Sequence, residues 1–297
     1  MLGLAAVCAL ALAAAAQAQP PAGAPPPPRL LIEAPAELAG RADELARLPP
    51  ARLESAMRLV GLDEPGSPIH VLLAAEGSPA ARAAPSWVAG YALGARGLVV
   101  LFPARTPSYP DGSLEELLGH EVAHVLIDRA AGGADLPRWF HEGLATVAGG
   151  SWGLADRSRL VRLDRERGGL ASLDRRFAGG PAEVERAYAF SGAFVRSLLQ
   201  RHGQGAPAAV LAEAARGLPF EAAFARATGE PLAAAEAAFW RRHDLLNRWL
   251  PLLTSSLTLW LAIAALALWA ARRRRARAAA LLRQWEEEEE RAAPFNP

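Results

Sequence analysis

Apolar residues in the first half of the chain alternate between helical spacing and short continuous runs. Leu53, Met57, Leu59 and Val60 fall at near-helical spacing, which predicts a helix over Ala51 to Leu62 with Gly61 at its end. Pro65-Gly66-Ser67-Pro68 then breaks the chain before Ile69-His70-Val71-Leu72-Leu73, an apolar run that reads as a buried strand. Val88 to Leu93 and Leu98 to Phe102 flank Gly94-Ala95-Arg96-Gly97 as a hairpin. Ser113-Leu114-Glu115-Glu116 matches a capping box, with Ser113 as cap and Glu116 reaching back to the cap amide. A helix begins there and runs to about Ala131, where Gly132-Gly133 stops it, and Pro137 suits the first turn of the next helix. From residue 181 onward only helical spacing is found, over Glu183 to Arg201, Pro207 to Arg216, Pro219 to Ala227 and Leu232 to Asn247. Strands followed by helices predict an α+β fold.

The two ends carry a different pattern. Residues 1–18 are an uncharged apolar run closing on Ala16-Gln17-Ala18, the small-x-small pattern of a signal peptide. Residues 19–29 are proline-rich and read as an extended spacer. From Trp249 to Ala271 there are 23 residues without a charge, about 34 Å as one helix, enough to span a bilayer. Trp249 and Trp269 mark its two ends, and Arg272 to Arg275 with Arg277 follow at once. The expected layout is therefore a folded region in two parts, 30–150 and 151–248, a transmembrane helix over 249–271, and a charged cytoplasmic tail over 272–297 that includes the acidic run Glu286 to Glu290. That layout predicts a single-pass protein of the cell inner membrane of a Gram-negative bacterium, its folded region in the periplasm.

Charge and cysteine content narrow the chemistry. The 297 residues carry 32 positive side chains, all arginine, against 31 acidic ones, for a net charge of +1. No global basic field exists to hold nucleic acid, and none is expected as a partner. The single Cys8 lies in the leader, so the folded region offers no disulfide framework, thiolate ligand or cysteine nucleophile. A metal there must be held by histidine and carboxylate.

Inside the capped helix stands His120-Glu121-Val122-Ala123-His124, the H-E-x-x-H pattern. Residues four apart share a helix face, so two imidazoles converge on one ion. Glu121 then lies beside the metal rather than on it, placed to take a proton from an activated water. A second element follows, Leu136-Pro137-Arg138-Trp139-Phe140-His141-Glu142-Gly143-Leu144-Ala145.

Together these resemble the gluzincin zinc metallopeptidases, and most closely the peptidase-MA-like proteins related to thermolysin and aminopeptidase N. In that group a Glu in a W-x-x-E-G-x-A context supplies the third zinc ligand. Trp139 to Ala145 matches this context, with 17 residues between His124 and Glu142. The two-part motif is specific, and a looser likeness runs from about Leu53 to His243. The resemblance implies a gluzincin-like catalytic domain, a small sheet with the H-E-x-x-H helix and then a helical subdomain. It implies Zn2+ held by His120, His124 and Glu142, Glu121 as general base, and hydrolysis of a peptide or protein substrate. It also implies a tyrosine from the downstream helices that stabilises the oxyanion. Among Tyr91, Tyr109 and Tyr188, the order along the chain points to Tyr188, the alternative being a core tyrosine packed by Phe190 and Phe194.

Several neighbours compete for roles. His141 is the rival third ligand, but adjacent helical residues point about 100° apart, so only one of His141 and Glu142 faces the ion. Asp128 and Glu116 each lie one turn from a motif histidine and are candidates to orient an imidazole, or plain surface charges. His70, His202 and His243 lack a partner pattern and read as structural. The strand at 98–102 offers an edge for an extended peptide or is simply buried. The alternative function is a catalytically silent relative that binds a peptide or protein.

Overall fold

Among the described residues, three short runs rich in leucine, isoleucine and valine and the segment Gly90–Leu93 form the strands, and the longer periodic stretches form the helices. The computed structural model describes residues 25–150, 168–253 and 255–292. The expected signal segment lies outside the described residues, as does most of the spacer. In chain order the main elements are β1 (Leu30–Glu33), α1 (Ala39–Ala46), α2 (Pro50–Val60), β2 (Ile69–Leu73), α3 (Pro79–Ala83), β3 (Gly90–Leu93) and β4 (Leu98–Leu101). They continue with α4 (Leu114–Ala131), α5 (Arg138–Gly149), α6 (Leu173–Phe177), α7 (Pro181–His202), α8 (Ala206–Ala215), α9 (Phe220–Thr228), α10 (Leu232–Leu253) and α11 (Ser256–Ala292). The chain divides into two compact units, Met1–Glu236 and Ala237–Pro297.

The first unit holds the sheet. Its order is β1-β2-β4-β3, with β1, β2 and β4 parallel and β3 antiparallel to β4. Val71, Leu73, Val99, Val100 and Leu101 are buried along the two central strands. The strand at 98–101 is paired on both sides, by β2 and β3, and the edges among the described residues are β1 and β3. β3 and β4 pack on α4, which also meets α2, α5 and α8. Leu118, Val122, Ala123, Val125, Leu126 and Ile127 of α4 are all buried. A helix with such apolar surface around it sits in the middle of a core.

Both ends of α4 follow from local sequence. Ser113 Oγ accepts from the Glu116 amide at 3.1 Å, and Gly132 closes the helix in the left-handed region at φ 60°. Glu116 reaches back one residue further than a capping box requires, accepting from the Gly112 amide at 2.7 Å. Arg129, near the end of α4, donates to the carbonyls of Pro65 and Ser67 and ties the turn before β2 to it. Arg105 pairs with Glu76 through two bonds and donates to the carbonyls of Ala81, Pro85 and Val88, fixing the segment that leads into β3.

Glycines let α5 approach its neighbours. A Cβ at Gly149 would lie 3.0 Å from the His120 amide nitrogen, and one at Gly119 would lie 3.3 Å from Gly149 Cα. On the opposite side a Cβ at Gly143 would lie 2.6 Å from the Ser191 carbonyl oxygen of α7. Trp139 and Phe140 anchor the start of α5, the Trp139 ring lying 5.3 Å from Phe194 and 5.7 Å from Phe220. The tryptophan of the second motif is thus a packing residue.

Two expectations are corrected. The described chain is mostly helical with a small mixed sheet, rather than α+β with a membrane anchor: each strand has only four or five residues, while helices flank the sheet in sequence as well as follow it. The apolar stretch after Trp249 is not one helix. α10 ends at Leu253 and α11 starts at Ser256, where Ser255 Oγ accepts from the Thr258 amide at 3.2 Å and caps a new helix. Within α11 the uncharged stretch runs from Ser256 to Ala271, about 24 Å against a hydrocarbon core of about 30 Å. Among the described residues no helix is long and apolar enough to cross a membrane. The single-pass inner-membrane location, with its periplasmic and cytoplasmic sides, falls with that span.

Candidate metal centre

His120 and His124 project from one face of α4, and their Nε2 atoms converge to 3.1 Å. α5 brings Glu142 Oε2 to 3.6 Å from His120 Nε2 and 3.4 Å from His124 Nε2. An ion with four tetrahedral bonds of about 2.0–2.2 Å holds its ligand atoms about 3.3–3.6 Å apart. The three separations in this protein lie around that range. Glu142 Oε2 is buried and makes no hydrogen bond among the described residues, a desolvated acceptor of the kind that a cation satisfies. His120, His124 and Glu142 thus form a group able to hold a metal ion.

Glu121 is buried but stands outside that group. It lines a cavity of about 80 Å³ together with Trp87, Gly90, Tyr109, Asp111, His120 and Tyr188. Edge strand β3 passes directly along it: a Cβ at Gly90 would lie 3.2 Å from Glu121 Oε1. Tyr188, at the start of α7, lies with its ring centroid 6.0 Å from that of His120, 6.4 Å from Tyr109 and 5.3 Å from Phe177. Tyr91 packs on Phe102 instead, at 6.1 Å. Of the three tyrosines weighed from sequence, the structure brings both Tyr109 and Tyr188 to the cavity.

Burial and crowded charge set the protonation pattern. Burial alone would lower the pKa of His120, but Asp111, Glu142 and Glu121 outweigh it and push the imidazole up to about 9. Burial pushes Glu121 up to about 8, against the pull of His120 and with help from the neighbouring carboxylates. His124 is lowered to about 4, chiefly by burial. Glu142 is held well below the usual carboxylate range, the two imidazoles overcoming its burial. Burial and the nearby Glu142 and Glu121 raise Tyr188 well above the ordinary phenol, so it keeps its O–H.

The surrounding residues resolve the rivalries left open by sequence. His141 does not join the metal group; its ring meets that of His124 edge to edge, with the two Nδ1 atoms 2.7 Å apart and the ring centroids 4.8 Å apart. Asp128 accepts from His141 Nε2 at 2.8 Å and so holds His141 rather than a motif histidine. Glu116 is occupied at the Gly112 amide. His70 is exposed with Glu33 4.0 Å away, His202 pairs with Glu230 at 2.8 Å, and His243 stacks on Phe239. Sequence reasoning missed Asp111, a buried carboxylate 3.8 Å from His120 Nδ1. It arrives from the loop before α4, where no periodicity marks it; its one signal is proximity to the Ser113 cap.

No family model matches this chain, and no curated protein matches it. What the chain can do is carried by its own residues: two imidazoles and a carboxylate around one point, with a second carboxyl left free beside them.

Proposed function

We propose that this chain is a zinc-dependent metallopeptidase. The observation that carries the reading is the triangle of His120 Nε2, His124 Nε2 and Glu142 Oε2, with sides of 3.1, 3.4 and 3.6 Å, from which adjacent Glu121 is left out. Two imidazoles and one carboxylate are a catalytic zinc set, because they leave a position open to substrate. Zinc bound there supplies Lewis acidity, polarising a carbonyl and lowering the pKa of water to about 7. The likeness of the two motifs to those of gluzincins supports the same reading.

The protein's own groups then have separate tasks. Glu121 faces the cavity beside the metal group, where a bound cation would favour its ionised form, fitted to take a proton from the attacking water and return it to the leaving amine. Tyr188 keeps its O–H and lines the same cavity, fitted to donate to the developing oxyanion. Among the described residues β3 is an edge of the sheet and lines the cavity through Gly90, where an extended peptide would pair.

The test is Glu121→Gln. The variant should keep its zinc and lose hydrolysis of a mixed peptide pool by about 10²- to 10⁴-fold. Equal hydrolysis by variant and wild type would remove Glu121 from the mechanism and favour a binding role for the site.

A further inference from the structure

We infer that His141, backed by Asp128, is a positioning residue that fixes the tautomer and aim of His124 through a His–His–Asp chain. This rests on the reading of His120, His124 and Glu142 as metal ligands. A ligand that offers its Nε2 lone pair must carry its proton on Nδ1, and that N–H needs an acceptor. At His124 the atom that meets Nδ1 is His141 Nδ1, 2.7 Å away. Accepting there leaves the proton of neutral His141 on Nε2, and Nε2 in turn lies 2.8 Å from Asp128 Oδ1. The polarity of the chain is thus fixed from the carboxylate to the ligand. The two ring planes are inclined by only 20°, which suits an in-plane N–H···N bond between the two Nδ1 atoms.

The arrangement explains how two adjacent residues of α5 serve one centre. Glu142 turns toward the ion, and His141, about 100° round the helix, turns to the far side of His124. Asp128 lies one turn beyond His124 on α4 and reaches His141 across the helix pair, so the chain also ties α4 to α5. His120 has a different arrangement, its Nδ1 facing buried Asp111 at 3.8 Å.

The test measures zinc affinity of the full-length protein against a competing chelator, with zinc alone as probe. His141→Ala should weaken zinc binding by about 10- to 100-fold. His141→Asn places an amide oxygen where Nδ1 stands, keeping the acceptor while giving up Asp128, and should stay within about threefold of wild type. Asp128→Ala should add no further loss in the His141→Ala background, because the two act in series. In the zinc-loaded wild type a low-field imidazole N–H proton resonance should be visible and should vanish in His141→Ala. Unaltered zinc affinity in His141→Ala, an Asn variant as weak as Ala, or a fully additive Asp128 effect would overturn the inference. Wild-type protein that binds no zinc would overturn the metal reading itself.

Discussion

At the scale of single residues, the centre is a balance of burial against charge. Without an ion, His120 titrates at about 9 and Glu121 at about 8, so both hold protons at pH 7. A ligand must be neutral imidazole, and a nearby cation favours ionised Glu121, so binding expels protons. Affinity for zinc should therefore rise with pH from 6 to 8, by about tenfold or more per unit, and flatten above about 9. Competition titrations at several pH values check this, and a flat profile would contradict it. Tyr188→Phe removes one hydrogen-bond donor and should lower kcat by about 10²- to 10³-fold with little change in KM; steady-state kinetics on a cleaved peptide would show the split. The motif residues were legible in sequence because they are spaced by helix geometry. Asp111 and the role of His141 were not, since a loop approach and a contact across two helices leave no periodic trace.

At the scale of elements, the position of Glu142 depends on how closely α5 lies between α4 and α7. Gly143→Ala would drive a methyl group against the Ser191 carbonyl and the Val195 side chain. It should cost about 1–3 kcal/mol in urea unfolding and weaken zinc binding as α5 shifts. Gly40→Ala on α1, with nothing within 4 Å of its Cβ, is the control and should leave stability equal or raise it by up to about 1 kcal/mol. The limits of α4 could be read in advance because Ser113 and Gly132 are local signals. β1 could not, because Leu30–Glu33 is a strand only through its parallel pairing with β2, almost forty residues away. The apolar stretch after Trp249 misled for the opposite reason: counting uncharged residues ignored Ser255, whose hydroxyl starts a second helix inside the run.

At the scale of the whole molecule, the sheet, α4 and the helices from α5 to α9 belong to one compact unit ending at Glu236, and the group able to hold a metal lies across α4 and α5 within it. An ion that binds only the folded form should stabilise that unit, by about 2.7 kcal/mol at a hundredfold excess over Kd. Thermal melts with and without zinc measure this, and no shift would mean that the group is not a folded-state ligand set. The helical excess of the fold was underestimated from sequence because short helices such as α1 and α3 are defined by packing and caps more than by periodicity. The most direct test of the central claim is metal content of purified protein by elemental analysis, on wild type, Glu142→Ala and Glu121→Gln together. One zinc per chain in the wild type and in Glu121→Gln, with loss in Glu142→Ala, is the predicted result. Full retention by Glu142→Ala, or no stoichiometric metal in the wild type under zinc-replete conditions, would contradict the account.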